Sequence, residues 1–143
     1  MVDRNSVFRS LKSVISSSDE LLIIHSSLIH IRPSELNFKF AFLSALHALL
    51  SEGRTLALPA FTFSFCQGKP FHFRTSESEV GQLGTWFLEL EGAARTHHPI
   101  YSYSVAGPRA NEIQQCANTT TFGDDSSLAF FEKAGARIVM LGA

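Results

Sequence analysis

The apolar run Leu21-Leu22-Ile23-Ile24, followed directly by His25-Ser26-Ser27, decides the fold class. A short apolar run bounded by polar residues is typical of a buried strand, and its polar exit marks the strand end. Further strands are predicted at residues 55–59, 100–105 and 136–141. Helices are predicted between them, at residues 5–16, from 34 or 37 to 51, and at 80–90, 108–117 and 127–133. Strands that alternate with helices predict an α/β fold with a largely parallel sheet.

Two glycines fall inside the helix predicted over residues 80–90. The preceding Ser76 and Glu79 have the spacing of a capping box, which predicts that the helix starts there. Gly81 and Gly84 lower helix stability, so we expect them to allow a close approach of backbone or ligand. The run Phe61-Thr62-Phe63-Ser64-Phe65 alternates strictly and is interpreted as either a half-buried strand or a pocket wall.

Composition excludes several classes of function. The chain has 143 residues, 45% of them hydrophobic, and a net charge of −1, which indicates one globular domain without the basic field of a nucleic-acid-binding protein. No apolar run reaches membrane-spanning length, and no signal-peptide core is present, so no membrane partner is expected. Cys66 and Cys116 lie far apart and match no metal-binding spacing, which favours reduced thiols in a cytoplasmic protein and predicts no metal.

Common catalytic and nucleotide-binding signatures do not occur in the sequence. It has no Gly-x-Gly-x-x-Gly, no Gly-x-x-x-x-Gly-Lys, no Gly-x-Ser-x-Gly and no His-Glu-x-x-His. A dinucleotide-binding enzyme, a P-loop enzyme, an ordinary α/β-hydrolase and a zinc protease are therefore disfavoured.

The segment Arg95-Thr96-His97-His98-Pro99-Ile100-Tyr101-Ser102 carries the densest polar chemistry. A guanidinium with clustered hydroxyls suits a phosphate group, because the planar fork binds two oxygens and the hydroxyls donate to others. The alternatives are a solvated Arg95 and a hydrogen-bonded structural histidine at position 98. Ser26 and Ser27 likewise allow two interpretations, a donor turn that faces a ligand or a turn that satisfies its own backbone.

These segments together resemble the aminoglycoside 3-N-acetyltransferase-like (antibiotic N-acetyltransferase) family over about residues 4 to 143. The matching segments, in order, are His25-Ser26-Ser27-Leu28, Leu58-Pro59-Ala60-Phe61-Thr62, Ser78-Glu79-Val80-Gly81, the segment 95–102, Ala106-Gly107, Phe122-Gly123-Asp124-Asp125-Ser126-Ser127 and Met140-Leu141-Gly142. Members of the family are typically near twice this length. The resemblance thus implies that residues 1–143 are the N-terminal part of a single acyltransferase domain whose C-terminal part is absent.

The resemblance also implies a fold and a function. The family fold is a three-layer α/β/α arrangement around a mixed, largely parallel sheet, here incomplete, and it differs from the common GNAT acetyltransferase fold. Its members transfer an acyl group, usually acetyl, from acetyl-CoA to an amino group of an aminoglycoside antibiotic or amino sugar, which can confer antibiotic resistance. The expected partner is a small-molecule amine, with a homo-oligomer allowed and no metal. The residues expected to bind coenzyme A are His25, Ser26, Ser27, Arg95, Thr96, His98 and Ser102, and those expected to bind the acceptor are Phe61, Thr62 and Phe65.

No catalytic residue is assigned within the chain. In the family a histidine and a nearby glutamate are expected after the strand that corresponds to Leu141-Gly142, which here places them beyond Ala143. We therefore expect the isolated chain to be inactive. The alternatives are a non-catalytic remnant or binding module that keeps the coenzyme A-facing segments, and a phosphate-handling enzyme of independent origin.

The sequence leaves two classes of molecule as acceptors of the acyl group. The loop after Phe65 carries Lys69, His72 and Arg74, where acidic residues would attract a polycationic drug. A sugar with a single amine, as in polysaccharide precursors, is therefore the alternative acceptor.

Overall fold

A five-stranded mixed sheet forms the centre of the protein. The computed structural model describes residues 2–31 and 37–142. The strands are β1 (Leu21–Ser26), β2 (Thr55–Pro59), β3 (Ala94–Arg95), β4 (Tyr103–Ala106) and β5 (Arg137–Leu141), in the order β3-β4-β2-β1-β5. Strand β1 runs parallel to its two neighbours β2 and β5, whereas β4 runs antiparallel to β2 and to β3.

Helices cover both faces of this sheet. They are α1 (Arg4–Ser13), α2 (Phe38–Ser51), α3 (Gln82–Phe87), α4 (Ala110–Gln114) and α5 (Ser127–Lys133), with a 3₁₀ helix at Phe63–Gln67. One apolar cluster joins α1, α2 and α3 to the face of β1 that carries Leu22 and Ile24. A second cluster joins α4 and α5 to the opposite face, which carries Leu21 and Ile23. The three-layer α/β/α architecture is thus confirmed.

Several sequence predictions agree with these bounds. The strand at residues 55–59 and the helix at 127–133 are confirmed at both ends. The second helix begins after Asn37, one of its two predicted starts, while the other, Ser34, lies outside the described residues. The strand predicted at residues 100–105 begins only at Tyr103, and its partner β3 was not predicted.

The helix predicted over residues 80–90 is wrong in length and in its cap. It spans only Gln82–Phe87, because Gly81 has φ 125°, a conformation that no helix contains. Ser76 does not cap it, since its hydroxyl accepts a hydrogen bond from the His72 N–H instead. Of the two interpretations of residues 61–65, the strand is wrong, because the 3₁₀ helix begins at Phe63.

Close approach of backbones at the two glycines is confirmed. A Cβ at Gly84 would lie against the carbonyl oxygen of Pro59 and 3.1 Å from its carbonyl carbon. A Cβ at Gly81 would lie 3.3 Å from the carbonyl oxygen of Ser26. Glycine at these positions lets α3 pack directly on the ends of β1 and β2.

Candidate functional site

Several strand ends meet at one edge of the sheet. The parallel strands β1, β2 and β5 place Ser26, Pro59 and Leu141 at this edge, and the antiparallel β4 enters there at Tyr103, opposite Pro59. Ligands in open α/β sheets bind outside the carboxyl ends of the parallel strands. A ligand site is therefore expected at this edge.

A cavity of about 360 Å³ opens at the ends of β1 and β2. Apolar side chains make up most of its wall, and His25 is the only titratable residue among the described residues that line it. Its lining residues are Ile24, His25, Ser26, Leu58, Pro59, Phe61, Phe63, Val80, Gly81, Gly84 and Met140. The cavity is therefore largely apolar and free of carboxylates within the described part of the chain.

The imidazole of His25 is available to a ligand in this cavity. The residue is half-buried, and no hydrogen bond joins its ring to another described residue. Burial lowers the pKa of His25, so the neutral form is favoured near neutral pH. A neutral imidazole can accept a proton or a hydrogen bond.

A larger cavity of about 800 Å³ adjoins the first one. Ser26, Val80 and Gly81 line both cavities, so the hydroxyl-bearing end of β1 stands where they meet. The other lining residues are Ser27, Leu28, Ile29, Ile31, Phe38, Lys39, Gln82 and Trp86. The two cavities together offer a long apolar path with serines at its midpoint and one lysine at its wall.

Arg95 is buried within the protein instead of facing either cavity. The residue is 3% exposed. Its Nε donates to the Ser102 Oγ at 2.9 Å and its Nη2 to the Ala60 carbonyl at 2.7 Å, while Nη1 donates to the Ser76 carbonyl. A contact between Arg95 and a coenzyme A phosphate would require these bonds to be exchanged.

The two hydroxyls of the same segment also serve the backbone. Thr96 and Ser102 are both fully buried. The Thr96 Oγ1 accepts a hydrogen bond from the Tyr103 N–H at 2.8 Å, and the Ser102 Oγ donates to the Ala60 carbonyl at 2.8 Å. They close a hairpin between β3 and β4, so neither hydroxyl is presented to solvent.

His98 has the structural role that was its alternative interpretation. Its Nδ1 accepts hydrogen bonds from the Ile100 N–H at 3.1 Å and the Tyr101 N–H at 2.9 Å. The proton must then be on Nε2, which donates to the Thr121 Oγ1 at 3.2 Å. Burial lowers the pKa of His98, which keeps the ring neutral.

The three residues expected to bind the acceptor separate in the structure. Phe61 lines the smaller cavity, as the pocket-wall interpretation predicted. Thr62 is buried and donates to the Pro99 carbonyl at 2.5 Å. Phe65 is 42% exposed and lies in a separate depression of about 210 Å³ with Lys69 and Glu79.

Sequence reasoning missed part of the cavity wall. Val80 and Met140 were noted only within matching segments, and Gly81 only as a point of close approach, so none of the three was expected to line a cavity. The parallel pairing of β1 with β5 places Met140 beside His25. A strand predicted at residues 136–141 next to β1 was the signal that could have found it.

Neither a metal centre nor a membrane span is found in the described ranges. No group of three or more histidine, cysteine, aspartate or glutamate side chains lies close enough to hold a metal ion within residues 2–31 and 37–142. No helix in the part of the chain that the structure describes is long and apolar enough to cross a bilayer.

The fold and the cavities define an α/β protein with a candidate ligand site at the carboxyl edge of a mixed sheet. A family model described as aminoglycoside 3-N-acetyltransferase matches residues 23–143. The chain therefore belongs to the aminoglycoside 3-N-acetyltransferase family. A search of curated protein sequences found no significant match.

Solved structures agree with this assignment. Aminoglycoside acetyltransferase AAC(3)-IIb is 25% identical, with a TM-score of 0.84 over 100% of this chain and 59% of its own. A variant of AAC(3)-IVa in complex with apramycin is also 25% identical, with a TM-score of 0.79 over 99% of this chain and 57% of its own. The AAC-IIIb binary with CoASH, 20% identical, shares the fold with a TM-score of 0.78 over 99% of this chain and 59% of its own. The chain thus spans less than two thirds of the length of these relatives.

Proposed function

We propose that this chain is the N-terminal part of a single acyltransferase domain and that it holds the acyl-coenzyme A of an N-acetyltransferase. The observation that carries the proposal is the junction of two cavities at Ser26, in a chain of the aminoglycoside 3-N-acetyltransferase family. The solved AAC-IIIb binary with CoASH supports the choice of coenzyme A. The acceptor is a small-molecule amine.

The dimensions and chemistry of the cavities suit a long ligand that reacts at one end. The larger cavity, about 800 Å³, accommodates an extended, mostly apolar arm such as pantetheine. Lys39 in its wall is ion-paired to Glu89 at 2.6 Å, and both side chains are partly exposed, so a phosphate can compete for the ammonium group. The thioester then lies near Ser26, with the acyl group directed into the smaller cavity.

Three of the residues expected to bind coenzyme A remain our candidates for direct contact, and four are reassigned. His25, Ser26 and Ser27 line the cavities, and their side chains form no hydrogen bond with another described residue. The hydroxyls there can donate to carbonyl oxygens of the ligand. We assign the other four, Arg95, Thr96, His98 and Ser102, to the support of the site, because their polar atoms are bonded within the protein.

The acid–base chemistry is proposed to lie outside the described residues. An amine must lose a proton before or during attack on a thioester, and a histidine held by a carboxylate is the natural base. No histidine forms a hydrogen bond or ion pair with a carboxylate within residues 2–31 and 37–142. We therefore expect the isolated chain to bind coenzyme A but not to turn over. Release of free thiol from acetyl-CoA by the 143-residue chain, in the presence of an amine, would contradict this assignment.

The remainder of the domain is proposed to cover the outer side of β5. This strand is an edge of the sheet, and its Ile138 and Met140 are 60% and 59% exposed. A further strand paired with this edge would satisfy its backbone groups, and an element packed on the face that carries both side chains would bury them. The coverage of only 57–59% of the solved relatives supports the same view.

The acceptor is proposed to be a sugar with few amines. A polycationic drug is held by carboxylates, and the described wall of the smaller cavity has none. The rings of Phe61 and Phe63 offer an apolar face on which the C–H face of a sugar can pack. The AAC(3)-IVa variant bound to apramycin supports an aminoglycoside as the other acceptor class.

A calorimetric titration with coenzyme A tests the proposal. The wild-type chain is expected to bind, and Ser26→Ala is expected to weaken binding about fivefold, the effect of one lost hydrogen bond. Ser10→Ala, at an exposed position of α1 that lines neither cavity, is the matched control and should bind like the wild type. The absence of any binding to the wild-type chain would refute the proposal.

A further inference from the structure

We infer that Arg95 is a positioning residue whose guanidinium clamps the two ends of the loop from Ala60 to Ser76 and thereby fixes the phenylalanine wall of the smaller cavity. The inference rests on the proposed function only for the role of that cavity. The clamp itself is a property of the fold.

The guanidinium reaches both ends of the loop at once. Its Nη2 donates to the carbonyl of Ala60, the residue directly after β2, and its Nη1 donates to the carbonyl of Ser76, sixteen positions further along the chain. The Ser102 Oγ accepts from Arg95 Nε and donates to the same Ala60 carbonyl. One planar side chain therefore holds together two chain segments and the start of β4.

The charge of Arg95 has no carboxylate partner among the described residues. A buried cation is normally paired, because its desolvation is costly. Here the guanidinium is surrounded by carbonyl and hydroxyl oxygens and lies over the ring of Phe71, 5.0 Å from its centroid. Burial lowers the pKa of Arg95. A lysine would keep the charge but has no fork that can reach three acceptors.

Other contacts between the hairpin and the loop support the same role. The Thr62 N–H donates to the Ile100 carbonyl at 2.9 Å, and its Oγ1 donates to the Pro99 carbonyl. His97 stacks on Phe73, with ring centroids 4.2 Å apart and an interplanar angle of 6°. The hairpin segment 95–102 thus forms a scaffold along the loop.

The clamp is connected directly to the cavity wall. Ala60 precedes Phe61, whose carbonyl accepts from the Glu79 N–H at 2.8 Å. The Glu79 carboxylate in turn accepts from the Ser64 N–H at 3.0 Å and its hydroxyl at 2.9 Å. Val80 and Gly81, which line both cavities, follow immediately. Loss of the Arg95 hydrogen bonds would therefore displace the phenylalanine wall together with Val80 and Gly81.

Hydrogen exchange measured by mass spectrometry tests the clamp in the full chain. Arg95→Lys and Arg95→Met are expected to raise amide exchange about tenfold or more in peptides from residues 61–79, with β1 and β2 unchanged. Arg74→Lys and Arg74→Met, at an exposed arginine of the same loop, are the matched controls and should exchange like the wild type. A role in overall stability alone would raise exchange in every peptide, and that result, or an unchanged loop, would overturn the inference.

A second variant keeps the test decisive if both Arg95 variants fail to fold. Ser102→Ala removes one link of the clamp and leaves the guanidinium in place, so we expect a smaller increase confined to the same peptides. Unchanged exchange of residues 61–79 in Ser102→Ala would then overturn the inference.

Coenzyme A titration separates the clamp from direct phosphate binding. The clamp predicts that Arg95→Lys weakens coenzyme A binding only together with raised exchange in residues 61–79, because Arg95 lines neither cavity and acts through the loop. A loss above about tenfold together with an unchanged loop would assign Arg95 to the phosphate and overturn the inference. If the wild-type chain does not bind coenzyme A, the proposed function fails, while the exchange experiment still decides the clamp.

Discussion

A histidine nitrogen that accepts two backbone hydrogen bonds cannot also hold a proton. His98 is in this state, because its Nδ1 accepts from the N–H groups of Ile100 and Tyr101. Protonation of Nδ1 would break both bonds, because the new N–H would face the two backbone N–H groups that now donate to it. The turn before β4 therefore depends on the neutral form of one side chain.

This dependence predicts how stability changes with pH. The pKa of His98 is lowered in the folded protein, so the unfolded chain takes up the proton first as the pH falls below the ordinary value of 6.5. The stability from His98 is thus present above pH 6.5 and is lost as the pH falls through the folded pKa. The free energy of unfolding in urea, measured between about pH 7.5 and pH 5.5, should fall more steeply in the wild type than in His98→Gln.

The comparison of the two slopes is the test, since other groups titrate equally in both proteins. His98→Gln should also cost about 1–3 kcal/mol at pH 7.5, because two backbone donors lose their acceptor. Equal slopes in the wild type and the variant would show that the pKa of His98 is the same in the folded and the unfolded chain, and would contradict this prediction.

The polar residues of segment 95–102 show the limit of sequence reasoning at this scale. The sequence singles out the segment because an arginine, two histidines and clustered hydroxyls lead into an apolar run. It does not show that the carbonyls of Ala60 and Ser76 approach Arg95, since this depends on how a loop 35 to 19 positions away packs. The sequence also does not separate the two roles of Arg95, because a guanidinium donates its N–H groups to phosphate oxygens and to backbone carbonyl oxygens alike.

The short helix α3 packs on the strand ends at which the candidate site lies. It packs on the end of β2 through Gly84, where a Cβ would lie against the Pro59 carbonyl. Ser104 of β4 adds a hydrogen bond from its Oγ to the Gly84 carbonyl at 2.6 Å. The contact between α3 and the sheet thus depends on the absence of one methyl group.

Gly84→Ala is therefore expected to destabilise the protein by about 1–3 kcal/mol, the cost of overpacking a tight contact. On an exposed helix position the same substitution would stabilise, because alanine favours helix. Urea unfolding of Gly84→Ala, with Gln82→Ala at an exposed position of α3 as the control, measures this difference. A stabilised Gly84→Ala variant would show that α3 can move away from β2.

Element prediction succeeds where composition alone sets the bounds of an element and fails where tertiary contacts decide them. The strand at residues 55–59 is continuous and buried on both faces, so its bounds follow from composition. The capping box predicted at Ser76 and Glu79 does not form, because Glu79 accepts hydrogen bonds from Ser64, and the positive φ of Gly81 delays the helix start to Gln82. The strand β3 has only two residues, which is too short for any periodic signal.

For the molecule as a whole, the unevenly covered sheet is the main feature. Helices α1, α2 and α3 bury one face of β1, whereas the other face is covered mainly near β2 and β4. On β5 only Val139 is buried, and Ile138 and Met140 remain exposed. An alternation of strands and helices predicts the layers but does not show which side of an edge strand is covered.

The exposed Ile138 and Met140 of β5 predict that the isolated chain associates with itself. An exposed apolar edge strand offers both a hydrophobic surface and unpaired backbone groups. Size-exclusion chromatography with light scattering should show oligomers for the wild type, and Ile138→Thr combined with Met140→Thr should shift the chain toward monomer. Phe122→Thr, at an exposed apolar residue that contacts Tyr101 on the side of β4, is the control and should not. A monomeric wild-type chain would contradict the proposed uncovered edge.

The proposed function depends on coenzyme A binding at the carboxyl edge of the sheet, around Ser26. NMR of the labelled chain during titration with coenzyme A tests where the ligand binds. The largest amide shifts are expected at Ser26, Ser27, Val80, Gly81 and Gln82, and Thr55, Gly107 and Arg137 at the opposite edge should stay unchanged. Shifts centred on the opposite edge, or none at saturating coenzyme A, would contradict it.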